Sequence, residues 1–288
     1  MNPYQGCEHG CAYCYARPTH TYWGFNAGHD FESRIVVKRD APALLRKKFN
    51  HPDWIPAPIS LSGNTDCYQP AEKEFRLSRK ILEVCLEYRN PIGIITKNAL
   101  LLRDLDLLQE LANRKLVSVF ISITSDEENL RRKLEPRTSS YKNRFHALQQ
   151  LACHGIPCGV MMAPVILGLN DHRMFEVLER AAHHGASFAG YTILRLNPPV
   201  DTIFTDWLHR HYPQRAEKIL HYIEAMHGGQ LSDHRYKIRF SGDGPIATII
   251  QQQFTLYTRR LGLGKKKIEY DLSQFRRPYG KPLTLFGD

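Results

Sequence analysis

The stretch IGIITKNALLLRDLDLLQELANRKLVSVFISI, residues 92–123, decides the fold. It opens on a short apolar run, Ile92–Thr96, and closes on another, Val117–Ile123. Between them lies an amphipathic segment, Asp104–Arg114. The runs are short and rich in β-branched residues, so they read as strands, and the segment between them reads as a helix. Nearly continuous apolar strands joined by helices belong to a parallel sheet covered by helices.

The same alternation extends to both sides. Further strand-like runs are Ile59–Ser62, Cys158–Ala163 and Phe188–Leu194. Further helical segments are Glu72–Tyr88, Ser140–His154 and Asp171–His184. Gly155 and Gly185 are placed to close two of these helices, and Asp171 to cap the start of one. Five strands are clear, and a sixth has to end at Met1–Tyr4. That number falls short of a closed eight-stranded barrel, so the expected α/β fold is an open, partial TIM-like barrel, with a doubly wound sheet as the alternative. After Asn197-Pro198-Pro199 the pattern turns helical, with Asp201–His211, Pro213–His227 and Pro245–Leu261, and ends in a basic tail. The expected division is a core over residues 1–200 and a helical extension with its tail over 201–288.

Composition limits the function classes. Of 288 residues, 42% are hydrophobic and 24% charged, which reads as globular. No apolar run reaches the ~18 residues of a membrane span. The start, Met1-Asn2-Pro3-Tyr4, has neither the basic nor the apolar region of a secretory signal, so a cytoplasmic protein with no membrane partner is expected. The formal net charge is +10. Residues 254–288 carry eight Lys/Arg against three Asp/Glu, around Arg259, Arg260, Lys265, Lys266, Lys267, Arg276 and Arg277. Such a patch can follow a phosphate backbone, or it can be a solvated tail.

Seven cysteines, an odd number in a chain without an export signal, read as metal ligands or redox groups rather than as disulfides. Three lie close together in Cys7-Glu8-His9-Gly10-Cys11-Ala12-Tyr13-Cys14, with C-x3-C-x2-C spacing. Gly6 and Gly10 supply the freedom for a tight loop. Soft thiolates select iron–sulfur clusters or zinc. Three thiolates leave one position of a cluster open, as a catalytic centre requires. The alternative is a zinc site, in a non-catalytic module, completed by His9, Cys67 or a distant His. Cys85, Cys153 and Cys158 read as core thiols.

In parallel β/α folds ligands gather at the C-terminal ends of the strands. Here those ends are polar: Ser62-Gly63-Asn64-Thr65-Asp66, Thr96-Lys97-Asn98, Ser122 with Thr124, and Arg195 with Asn197.

The cysteine spacing, with the aromatic Tyr13 before its last member, resembles the signature of the radical S-adenosylmethionine superfamily. That resemblance implies a partial (β/α)6 barrel. It also implies a [4Fe–4S] cluster on Cys7, Cys11 and Cys14, S-adenosylmethionine on its open iron, and an electron donor such as flavodoxin or ferredoxin. Asn2–Cys7, Cys14–Arg17, Ser62–Pro70, Ile95–Asn98 and Ser122–Thr124 are similar to the branch of spore photoproduct lyase, often labelled DNA repair photolyases. The resemblance covers about residues 1–200. It implies radical chemistry on a nucleic acid, with RNA, protein or a small molecule as the alternative substrate. Within it, Asn64, Thr65 and Asp66 suit the cofactor's ammonium, Lys97 its carboxylate, and Ser122 its carboxylate or ribose. Glu135-Pro136-Arg137 and Arg144 lie where relatives often place an acidic residue and an arginine close to the cofactor, and their alternative is salt-bridging helix residues. Cys67 is the candidate hydrogen donor to a substrate radical, and its alternative is a small buried thiol. Tyr15, Tyr22 and Trp23 are candidates for stacking on a base.

Overall fold

The computed structural model describes residues 1–236, 238–264 and 268–278. Two short strands, β1 (Tyr4–Gln5) and β2 (Val36–Val37), pair antiparallel and enclose α1 (His29–Ser33). The chain continues through α2 (Ala41–Asn50), β3 (Ile59–Leu61), α3 (Glu72–Phe75), α4 (Leu77–Tyr88) and β4 (Ile92–Thr96). Then follow α5 (Leu105–Asn113), β5 (Val117–Ser122), α6 (Glu128–Leu134), α7 (Tyr141–Cys153), β6 (Cys158–Val165), α8 (Met174–His183) and β7 (Phe188–Ile193). Four helices end the run: α9 (Val200–His211), α10 (Ala216–Met226), α11 (Ile238–Ser241) and α12 (Gly244–Leu261). No helix among the described residues is long and apolar enough to cross a membrane.

Strands β3 to β7 form one sheet in sequence order, every neighbouring pair parallel. Where the sixth strand was expected, Met1 lies along β3. Met1 donates its N-terminus to the Ser60 carbonyl at 2.5 Å and accepts from the Ser62 amide at 3.2 Å, while β1 turns away to pair with β2.

Alternation gives the sheet two unlike faces. Ile92, Ile94, Val117, Val119, Ile121, Val160 and Met162 point outward into the main core beneath the helices. The opposite face carries Gly93, Ile95, Lys97, Ser118, Phe120, Ser122, Gly159, Met161 and Gly190, and many of these are only half-buried. Small and polar residues on that face leave space inside the curve of the sheet, and the cavity described below occupies it.

Three expectations are corrected. The helix expected over Glu72–Tyr88 is broken at Arg76, whose φ is 51°. The break lets the buried Glu72 carboxylate accept from the amides of Ser78 (3.0 Å) and Arg79 (3.4 Å), capping α4 from inside. Asp171 does not cap α8; its carboxylate accepts from the Gly168 amide at 2.7 Å within the preceding turn.

The third correction concerns the basic tail. Its described part runs beneath the sheet, along the N-terminal ends of the strands. Gly264 donates to the Ser187 carbonyl ahead of β7 (2.9 Å), and Asp271 to Lys115 ahead of β5 (3.1 Å). Tyr270 meets the Ser118 hydroxyl at 2.5 Å, between β4 and β5. Arg276 donates to the carbonyls of Tyr88 and Glu87, both at 3.0 Å. Arg277 donates to those of Phe49 (3.0 Å) and His51 (3.1 Å). These guanidinium groups hold the protein's own backbone, at the end of the barrel opposite the polar strand ends. Arg260 lies over the Phe175 ring. Lys265, Lys266 and Lys267 lie outside the described residues. Phe275 packs against Phe49 and Tyr88, with ring centroids 5.9 and 6.5 Å away. Phe275→Ala therefore costs about 2 kcal/mol of stability, the low side of a Phe truncation because the ring is partly exposed. At ~2–4 °C per kcal/mol, the melting temperature falls by roughly 4–8 °C, read by circular dichroism. An unchanged melting curve would show that the strap does not support the fold.

Candidate active site at the carboxyl ends of the strands

The cysteine loop is held from every side. Gly6 has a φ of +80°, and a Cβ there would lie 3.0 Å from the carbonyls of Phe31 and Arg34, so only glycine fits. The Cys7 amide donates to Phe31 (2.8 Å) and the Ala12 amide to Leu134 (3.0 Å). Arg17, almost wholly buried, grips the Cys11 carbonyl through Nε (3.2 Å) and Nη2 (3.0 Å) and pairs with Glu32 at 2.5 Å. Gln69 bridges the loop, donating to Gly6 (3.0 Å) and accepting from Glu8 (3.1 Å).

This scaffold turns Cys7, Cys11 and Cys14 toward one cavity of about 320 Å³. All three are free thiols. Burial pushes each pKa up, and for Cys7 and Cys11 neighbouring negative charges add to it. The cavity also brings together Asn64, Thr65, Asp66, Lys97 and Ser122, five of the residues expected from the sequence. They arrive from the ends of β3, β4 and β5.

The second wall is built around Asp66. Its carboxylate accepts from the Thr96 hydroxyl (2.7 Å), the Lys97 amide (2.7 Å) and the Tyr68 amide (2.9 Å), tying the β3 exit to the β4 exit. Thr65 donates to the Tyr4 carbonyl at 2.7 Å, and the Asn64 amide to Asn2 at 2.9 Å. Both carboxylate oxygens of Asp66 are thus already engaged in positioning. The Lys97 ammonium faces the cavity, 5.8 Å from the Tyr13 ring centroid. His9, which also lines the wall, lies 3.4 Å from Asp66. Burial outweighs that charge and drives its pKa down to about 4, so the imidazole is neutral at physiological pH.

Arg144 does not line the cavity. It is fully buried behind the wall, where Nη1 donates to the Ser122 carbonyl (2.9 Å), Nε to Ser139 (2.9 Å) and Nη2 to Glu135 (2.6 Å). Glu135 accepts in turn from the Tyr13 hydroxyl and from Thr124. Burial works to raise the Glu135 pKa, but the charges of Arg144 and Lys97 and the hydrogen bonds from Tyr13 and Arg144 prevail, leaving it below the ordinary range. The chain Tyr13–Glu135–Arg144–Ser122 couples the cysteine loop to the end of β5. Asn170 makes a matching link between β5 and β6, donating to Thr124 (2.8 Å) and Pro164 (3.0 Å).

Cys67 also stands apart. It is fully buried in the main core among Leu61, Tyr68 and Ile81, and it is not in the cavity wall. Its amide is held by Ser62 (2.8 Å), and its carbonyl accepts from Ser78 (2.5 Å). This is the placement of the small buried thiol weighed against the hydrogen-donor role.

The far wall was less legible. Met161, Ala163, Pro164, Thr192, Arg195, Tyr15 and Phe240 complete the cavity. Phe240 comes from α11, beyond the barrel, and no local pattern points to it.

The donor set fits an iron–sulfur cluster: three thiols, enclosed by protein, share a wall with no fourth cysteine in it. Among the described residues no three Cys, His, Asp or Glu side chains converge on a point where they would hold a single metal ion.

Comparisons with known proteins agree with this geometry. The Radical SAM superfamily model matches residues 1–181. An uncharacterized protein of Mycobacterium tuberculosis is 36% identical over 220 residues, 76% of this chain and 65% of that protein. The chain thus matches just under two thirds of that relative's length. An uncharacterized protein of Methanocaldococcus jannaschii is 31% identical over 219 residues, 76% of this chain and 78% of that protein. Among solved structures, a variant of spore photoproduct lyase superposes with a TM-score of 0.63 at 18% identity, covering 91% of this chain and 74% of that one. Another, with bound AdoMet and dinucleoside spore photoproduct, gives 0.62 at 19% identity, with the same coverage. Identity this low shows a shared fold.

Proposed function

The chain belongs to the radical SAM superfamily, and from that premise we propose that it is an enzyme that cleaves S-adenosylmethionine reductively and directs the resulting radical to a nucleic acid. Members of the superfamily use a [4Fe–4S] cluster and S-adenosylmethionine, and they need an electron donor. A cluster held by these thiols would supply the one-electron reduction through which S-adenosylmethionine is cleaved.

The chain's own residues divide the remaining work. Cys7, Cys11 and Cys14 would hold the cluster. Lys97 offers its charge to the cofactor carboxylate, and the Ser122 hydroxyl donates to the carboxylate or ribose. Asn64 and Thr65 present oxygens toward the ammonium, and Asp66 holds the Lys97 backbone that carries the charge. Arg144 and Glu135 act from behind, fixing Tyr13 and the β5 exit. Residues 1–200 form the catalytic barrel in this reading, and 201–288 its extension. Flavodoxin or ferredoxin is the proposed cytoplasmic electron donor.

The observation that carries the reading is the shared cavity wall: three free thiols, two of them buried and one half-buried, line it together with Lys97 and Ser122 at the strand ends. The nucleic-acid substrate has separate support, from the dinucleoside bound by the structural relative and from Tyr15, Arg195 and Phe240 at the cavity mouth. Anaerobically reconstituted protein, given a reductant and S-adenosylmethionine, is expected to release 5′-deoxyadenosine, measured by chromatography. Protein that holds iron and sulfide yet releases none would overturn the proposal.

A further inference from the structure

The mouth of the cavity carries two guanidinium groups around one aromatic ring. Arg195, just past β7, lines the cavity, and its Cζ lies 5.3 Å from the ring centroid of Phe240. Arg239 stands over the same ring at 4.7 Å. Like charges held this close repel, and the nearby Asp233 charge offsets this for Arg195 only in part. Asp233 is engaged by Arg235 (2.8 Å) and His227 (3.2 Å), and Asp243 by Arg235 (3.2 Å). Arg195 itself makes only long bonds, 3.4 Å to Asn197 and 3.3 Å to the Asp233 carbonyl. The Arg239 Nε is buried and has no hydrogen-bond partner among the described residues. Burial, and then the Arg239 charge, press the Arg195 pKa downward. Unmet donors on two cations are relieved by one anion between them.

The position is prepared in advance. His227, buried, lies between Asp233 and the Leu194 carbonyl (2.8 Å), and the Leu196 amide donates to Leu231 at 2.7 Å. These bonds lock the backbone on both sides of Arg195. Strands β5 and β6 separate it from Lys97 on β4. The cavity thus has one cation on the wall assigned to the cofactor and another at its mouth. Phe240 is 44% exposed at that mouth, so part of its ring is open to a ligand beside the two guanidinium groups.

We propose that Arg195 and Arg239 bind the phosphate of a nucleotide unit whose base lies against Phe240. The site deepens the nucleic-acid reading above and rests on it for its reaction, but its binding can be measured alone. Base stacking on an aromatic side chain contributes about 1–3 kcal/mol per base, and phosphate pairing makes the binding salt-dependent.

The test uses the full chain, reconstituted with its cluster but without reductant. A short, labelled single-stranded oligonucleotide is the probe, read by fluorescence anisotropy. Arg195→Gln and Arg239→Gln are each expected to weaken binding about tenfold and to lower the salt slope by about one. Phe240→Ala weakens binding with the slope unchanged. Arg239→Lys retains the slope. Should Arg195→Gln melt early, Arg239→Gln on its short helix decides the matter. A nucleoside 5′-monophosphate should displace the probe better than the nucleoside; displacement at equimolar level identifies the free nucleotide as the source of the phosphate. Wild-type affinities and slopes in both glutamine variants would overturn the site. So would equal displacement by inorganic phosphate, or loss of S-adenosylmethionine binding in Arg195→Gln with the probe retained. A wild-type protein that binds the probe but never releases 5′-deoxyadenosine would leave this site standing and remove the radical reading.

Discussion

Replacing Cys7, Cys11 or Cys14 singly by Ala is expected to reduce 5′-deoxyadenosine formation to background and to lower bound iron and sulfide together. The expectation follows from the geometry of the wall. The three thiols share one cavity, and Cys67, the next cysteine in the chain, is packed in the core and cannot take a vacated place without rebuilding the β3 exit. Losing a support behind a ligand costs about 10–100-fold in metal affinity, and losing the ligand itself costs more. Cys153→Ala, at the exposed end of α7, is the matched control and should keep both cluster and product. Iron, sulfide and visible absorption measured alongside product formation separate a lost cluster from a damaged fold. Retained product in all three variants would remove these cysteines from the mechanism.

The second large effect is expected behind the wall. Arg144→Met leaves Glu135 buried with no cation in direct contact, a change that costs about 3–5 kcal/mol. At ~2–4 °C per kcal/mol the melting temperature falls by roughly 6–20 °C. The same change frees the Ser122 carbonyl and slackens the Glu135 contact to Tyr13, so cluster content should fall with stability. Glu135→Gln in the Arg144→Met background removes the stranded charge and should recover much of the loss. A single variant that melts like the parent, or a double variant no better than the single, would show that the pair does not support the site. Thermal melts and cluster absorbance, read on the same samples, make the comparison.

The sequence was informative about part of each prediction. The strands were legible because their alternation is strong: Ile92–Thr96 is found with the expected bounds, and the ends of the other four move by a residue or two. The cysteine loop was legible because three soft ligands within eight residues have few structural uses. Lys97 and Ser122 were legible because a polar residue at the end of an apolar parallel strand sits where such folds bind ligands. Helix α6 was missed, since Glu128–Leu134 is short and highly charged, and its role is to bring Leu134 and Glu135 beneath the cysteine loop. The tail kept two readings, a phosphate-following patch or a solvated tail, because a run of arginines looks the same whether it faces a phosphate or the protein's own carbonyls. Arg276 and Arg277 face carbonyls.

The strand segments, the parallel sheet, the three-thiol loop and the polar strand ends were therefore determined by the sequence alone, because each is a pattern of neighbours along the chain, whereas the order of the strands in the sheet was decided by the tertiary structure. Which polar residues face the cavity and which stand behind it was decided only by the tertiary structure. Lys97 and Arg144 are both basic residues near strand ends, yet one reaches the cavity and the other is sealed behind it by Glu135. Cys67 lies within three residues of Asn64 but points into the core, and Phe240 joins the cavity from an element outside the barrel. The physical reason is the same in each case. Burial and charge pairing are properties of position in space, and positions in space are set by contacts between residues tens to hundreds apart in the chain.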